Sequence, residues 1–281
     1  MIDSIFTDTK SPVDRRRFGR LETRGLFRLV TATVRLQLRL TLRNVEDWIR
    51  PFFMPLYGII AMAILVHSGR SDMAGYALTA SLLFTIGDMG FFLGSEIVAQ
   101  DRSRQMLELL VATPASYATI LMTRTLVVAS FGLIGFAEGW AIARGVFNVP
   151  VPLYHPWVLG AALLATVFAA GATAVLTASL FSLARSTRTL QNAVNGPFYL
   201  LGGVLVPVTF LPLWLQPLSP FVFFYWSARL VRESLQAAPP TDVVFRLFVL
   251  VLLGAAGATI GFLVLGRMLD HLRRNGRLGL T

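Results

Sequence analysis

DRSRQMLELLVATP, residues 101–114, lies between two stretches that are almost wholly apolar. On a helix, Met106, Leu109, Leu110 and Thr113 share one side, while Asp101, Arg104, Gln105, Glu108 and Ala112 share another. Asp101 at the start suits the positive end of a helix dipole. Arg104 and Glu108 are spaced to pair one turn apart, and Pro114 stops the helix at Thr113. The pattern predicts a short amphipathic helix over 101–113, held at both ends by greasy segments. Such a helix is a handle for a soluble partner.

The flanks set the class. The chain has 281 residues, 55% hydrophobic and only 14% charged, with a mean hydropathy of +0.65. A soluble domain carries about 25% charged residues, so the composition is that of an integral membrane protein. Cysteine is absent, which excludes disulfides and thiolate metal sites. The first 20 residues have no apolar core of a signal peptide and are expected to form a disordered cytoplasmic tail. The net charge of +10 does not indicate nucleic acid, because the arginines flank apolar spans and match anionic lipid head groups.

Six apolar segments are long enough to be spans, at about 51–66, 73–97, 117–142, 157–183, 189–206 and 247–266. With the N-terminus inside, 20 of the 25 Lys and Arg fall on the cytoplasmic side. That bias places both termini, and the helix at 101–113, in the cytoplasm.

Two further segments are neither spans nor free loops. Over 24–50, Arg24, Arg28, Arg35, Arg39, Arg43 and Arg50 share a helical sector about 100° wide, with Leu and Val filling much of the rest. This predicts an interfacial amphipathic helix with its basic side towards head groups. VRLQLRLTLR also alternates like a strand, but an isolated strand there leaves its edges unpaired. Residues 207–226 are apolar yet carry Pro207, Pro212, Pro217 and Pro220, which break any continuous span. They predict a re-entrant pair of short helices dipping in from outside. Phe210, Pro212, Trp214, Pro217 and Phe221 are candidates for an exit gate; an interfacial aromatic loop is the alternative.

Chemistry for catalysis is missing from the pattern. Lys10 is the only lysine and no glycine precedes it, so there is no phosphate-binding loop. His67, His155 and His271 are scattered, and neither a zinc motif nor a nucleophile elbow occurs. Asp88 and Glu138 lie inside spans, at different depths. A mid-helix acid costs about 2.5–3.5 kcal/mol on insertion scales, so each must face protein or water. Two readings stand for them: a substrate path or proton relay, and hydrogen bonding between helices, with Glu138 meeting Arg144 or another chain.

The stretch 101–114 resembles the coupling segment of permeases in the ABC-2 superfamily of ATP-binding-cassette exporters. Asp101 matches its acid, Arg102 and Arg104 its basic residues, and Leu107, Glu108, Leu109, Leu110, Thr113 and Pro114 its core. Gln105 and Met106 depart from the family's usual Gly-Thr. The continuation ASYATILMTR resembles the entry to the third span, and the stretch from NGPFYLL to RESL resembles the fifth span and re-entrant helices. The resemblance implies an all-α transmembrane domain over 21–281. It also implies that 101–113 docks on an ATPase subunit, through Asp101, Arg102, Arg104, Met106, Glu108, Leu109, Leu110, Thr113 and Pro114. Two ATPase subunits would bind ATP and magnesium, so this chain needs no cofactor. A second permease, identical or homologous, would complete the path in a bacterial inner membrane. The expected cargo is an amphipathic antibiotic, drug or lipid. A lipid-linked polysaccharide is the alternative within the family, and an intramembrane enzyme using Asp88 and Glu138 the alternative outside it.

Overall fold

The structure is a computed structural model that describes residues 15–53, 55–70, 73–106, 116–181, 187–204 and 206–274. All regular elements among them are helical. In order they are α1 (Arg15–Arg43), α2 (Val45–Phe53), α3 (Leu56–His67), α4 (Ala74–Ile86), a π-helical segment (Gly87–Leu93), α5 (Gly94–Ser103) and α6 (Tyr117–Phe131). There follow α7 (Ile134–Gly145), α8 (Pro156–Phe181), α9 (Thr187–Leu201), 3₁₀ turns at Val208–Phe210 and Gln216–Phe221, α10 (Phe223–Ser234) and α11 (Val243–Arg274).

Five helical stretches among the described residues are long and apolar enough to cross a membrane: Val45–His67, Ala74–Ser103, Tyr117–Gly145, Pro156–Phe181 and Val243–Met268. The remaining expected span, the fifth at 189–206, is represented by α9, with 15 described residues. At 1.5 Å per residue that is about 22 Å, short of the roughly 30 Å hydrocarbon layer. The interface segment also differs from expectation. Helix α1 begins at Arg15, inside the expected tail, and the chain breaks at Asn44 before α2 leads into the first span.

The second span is the hub. In its most apolar stretch 83% of residues are buried, against 24% in the first span and 28% in the last. It packs on α3, α7, α8 and α10. Its middle is the π-helical segment GDMGFFL, a widened turn of a kind found at functional sites. Side chains of α9 bond to both ends of that turn. The Tyr199 hydroxyl donates to the Phe84 carbonyl at 3.2 Å, and the Gln191 amide to the Phe92 carbonyl at 3.3 Å and the Ser95 hydroxyl at 2.9 Å. Tyr199 also lies against Phe84 and Phe224, with ring centroids 4.4 and 5.3 Å apart. Helix α9 is thus attached to the hub despite its length.

The re-entrant region takes a different form from two short helices. The four prolines leave only 3₁₀ turns before Phe223, and the single regular helix, α10, runs on to Ser234. Its Phe223, Phe224, Ser227, Ala228, Leu230 and Val231 are buried against α4, α8 and α11.

The last span needs close backbone approach, because lipid offers no hydrophobic drive for helices to associate. A Cβ at Gly261 would sit 2.6 Å from the Leu176 backbone nitrogen, and one at Gly254 would sit 2.8 Å from Ala169 Cα. The Ser179 hydroxyl donates across the same seam to the Gly261 carbonyl at 3.1 Å. Gly266, by contrast, has nothing within 4 Å of a built Cβ. Gly261→Ala should therefore destabilise the purified protein by roughly 1–3 kcal/mol, the usual cost of overpacking, and Gly266→Ala should not. Thermal unfolding in detergent checks this; equal midpoints for the two variants contradict the seam.

Candidate functional site

The second span does not end where the charged stretch begins. Helix α5 runs through Asp101 to Ser103, and the chain turns at Arg104 and Gln105, where Gln105 has φ 57°. Asp101 is therefore in the last turn of α5, not the first turn of a helix over 101–113. A carboxylate is disfavoured at that end by the helix dipole. Its compensation comes from the third span. Arg124 Nη1 donates to the two carboxylate oxygens of Asp101 at 2.8 and 2.6 Å, and the Tyr117 hydroxyl donates to Oδ2 at 3.1 Å. Arg124 Nε donates to Gln37 Oε1 of α1 at 2.7 Å, and Gln37 Nε2 to Thr41 Oγ1 at 3.2 Å. Asp101 and Arg124 are only 2% and 3% exposed. Asp101 is thus inside the chain and not on a surface open to a partner.

Arg102 and Arg104 are exposed and Met106 is half-buried. Glu108, Leu109, Leu110, Thr113 and Pro114 lie outside the described residues.

The node explains how α1 is held. Among the described side chains of α1, the fully buried ones are polar: Thr33, Gln37 and Thr41, one turn apart. They face α6, with which α1 packs. Leu36, Leu38 and Leu42 are exposed, as are Arg28, Arg35, Arg39 and Arg43. The exposed leucines therefore lie among the arginines, away from the side that packs on the protein.

Asp88 lies in the π-helical segment and faces Arg50 of α2. Their charged atoms are 3.8 Å apart, with side chains 16% and 27% exposed. That is an ion pair without a hydrogen bond, and Asp88 Oδ2 has no hydrogen-bond partner. Arg50 was legible in the sequence only as part of a basic stripe. Glu138 is not joined to Asp88 or Arg144: its Oε2 is buried without a partner, and Arg144 stacks on Trp140, 5.5 Å from the ring centroid. The gate candidates Phe210, Trp214 and Phe221 are 77%, 73% and 77% exposed, and Pro212 and Pro217 are exposed too. They point away from this chain's own core. Sequence reasoning missed the polar surface of α9, where Thr189, Asn192 and Gly196 are exposed and Asn195 Oδ1 is unpartnered.

Because the Arg50–Asp88 pair is long and partly open, its coupling energy should be on the order of 1 kcal/mol and not the larger figure of a dry pair. A double-mutant cycle with Arg50→Ala and Asp88→Asn, read by unfolding in detergent, should give that coupling. A coupling of zero would show that the two charges do not interact.

No curated protein matches the chain. The family model described as ABC-2 type transporter matches residues 28–235, well over half of the chain, from α1 to the end of α10. This multi-pass, all-helical membrane protein belongs to the ABC-2 type transporter family, whose permeases are the non-catalytic membrane component of transport and work with an ATPase partner.

Proposed function

We propose that the chain is the permease of an exporter that moves an amphipathic molecule, such as an antibiotic or a lipid, out of the cytoplasm or inner leaflet. The observation that carries this reading is the family match over 28–235, which brings an ATPase to a chain without a phosphate-binding loop. Two ATPase subunits bind ATP and magnesium and press on the segment that follows α5, between Ser103 and Tyr117. A second permease, identical or homologous, stands across the path. Both termini lie in the cytoplasm, bounded by a bacterial inner membrane; the arginine distribution supports the placement of the termini. An even number of crossings follows, and α9 serves as the fifth of six.

The open side of the second span supports the substrate class. It presents Arg50 and Asp88 as a partly exposed pair beside an otherwise aromatic and aliphatic interior. The polar surface of α9 is out of place in lipid and belongs against water or protein. A path with apolar walls and few charges suits a molecule with a small polar end. Phe210, Trp214 and Phe221, held at bends by Pro212 and Pro217, face outward from this chain and would meet their counterparts on the second permease as the exit gate.

The test is Leu109→Asp and Leu110→Asp in proteoliposomes holding the permease and its ATPase. A charge pressed into an apolar cleft without a partner costs on the order of several kcal/mol. Both variants should lose co-purification with the ATPase, and transport should fall at least tenfold. Unchanged assembly and transport in both would overturn the docking role of the segment between Ser103 and Tyr117.

A further inference from the structure

We propose that Asp101, Arg124 and Gln37 form a latch that makes α1 and the facing ends of the second and third spans move as one body, so that force on the coupling segment is transmitted and not absorbed. The proposal rests on the reading above, that the ATPase acts on the segment between α5 and α6. The three are positioning residues; none touches the cargo.

The segment leaves α5 at Ser103, two residues after Asp101, and rejoins helix at Tyr117, seven residues before Arg124. Both of its anchors are therefore within two turns of the ion pair. A push on the segment would spread α5 from α6 if the helices met through aliphatic contact alone. Here spreading means separating opposite charges that are 2.6 and 2.8 Å apart and only 2% and 3% exposed. Attraction between charges grows as the surrounding dielectric falls, so this contact is the stiffest available at that position. Tyr117, the first residue of α6, adds a donor to the same carboxylate.

Gln37 extends the body to α1. Arg124 has one guanidinium and uses it in two directions: Nη1 towards Asp101 and Nε towards Gln37. The fully buried residues of α1 that meet α6 are Thr33, Gln37 and Thr41, with Val30, Val34 and Leu40 half-buried on the same side, so the Arg124–Gln37 bond adds one directional tie to an otherwise aliphatic contact. Directional bonds fix a helix's register and rotation, which aliphatic contact leaves loose. The other acid–arginine pair of the second span, Asp88 with Arg50, is the opposite case at 3.8 Å without a hydrogen bond. One pair holds and the other can give, which is what a lever needs.

The test is Gln37→Leu in the full chain, assembled with its ATPase in proteoliposomes, with ATP hydrolysis and transport measured together. This variant leaves the ion pair intact and removes only the tie to α1. Assembly and ATP hydrolysis should persist while cargo moved per ATP falls about tenfold, and Gln37→Glu, which keeps the acceptor oxygen, should restore the ratio. An unchanged ratio in Gln37→Leu overturns the latch, as does a parallel fall of hydrolysis and transport with the ratio intact. If Gln37→Leu does not assemble, Gln37→Asn, which keeps the polarity but shortens the side chain away from Arg124, is read in the same way. Absence of ATP-driven transport by the unmutated chain would count against the exporter reading itself, and so is distinguishable from failure of the latch.

Discussion

Hydrocarbon leaves a charge no solvent, so each charged group within a span must find a partner in the protein or line a wet cavity. Two of the acids of the second span meet this constraint with an arginine. The span carries Asp88 at its middle and Asp101 at its end, and each faces an arginine from a neighbouring span, Arg50 on one side and Arg124 on the other. The most buried span is thereby tied electrostatically to the spans on both sides of it in sequence. Around this hub the remaining contacts are close-packed and apolar, or made by single side chains such as Tyr199, Gln191 and Ser179 that satisfy backbone carbonyls.

The two ties differ in kind. Asp101–Arg124 is short, hydrogen-bonded and dry, and it recruits α1 through Gln37. Asp88–Arg50 is long and partly exposed, and it sits where the helix is widened into a π turn flanked by glycine. In the proposed exporter, force enters at one end of the span and a path opens in its middle. The pairs fall in that order along the span, stiff beside the segment 104–116 and yielding at mid-depth.

Much of this was legible in the sequence, for identifiable reasons. Long apolar runs announced the spans, and proline spacing announced the broken region at 207–226. The limits were physical too. Helical periodicity does not mark where one helix ends and another begins inside a continuous charged stretch. Asp101 therefore read as the start of a new helix, when it closes the old one. The turn at Gln105 adopts φ 57° without the glycine that usually signals it. Gln37 lay within a stripe dominated by arginine and leucine, and nothing in a pattern of charge and apolarity shows that this polar side chain is packed. Counting apolar residues ran this span to residue 206, because spacing does not show that the helix ends at Leu201. Arg124 was the clue available: an arginine within a span requires an acid, and Asp101 is the acid that meets it.

The most direct measurement of this account is a distance on α1 relative to the hub during the ATPase cycle. The chain has no cysteine, and Leu38 on α1 and Ser103 at the end of α5 are both exposed, so spin labels can be attached at those two positions alone. The labelled chain, diluted into unlabelled permease and assembled with the ATPase, is examined by pulsed electron spin resonance without nucleotide and in an ATP-trapped state. The account predicts one narrow distance, the same in both states. A distance that shifts or broadens when ATP is trapped would show that α1 and the second span move independently, and the account of a single transmitting body would be wrong.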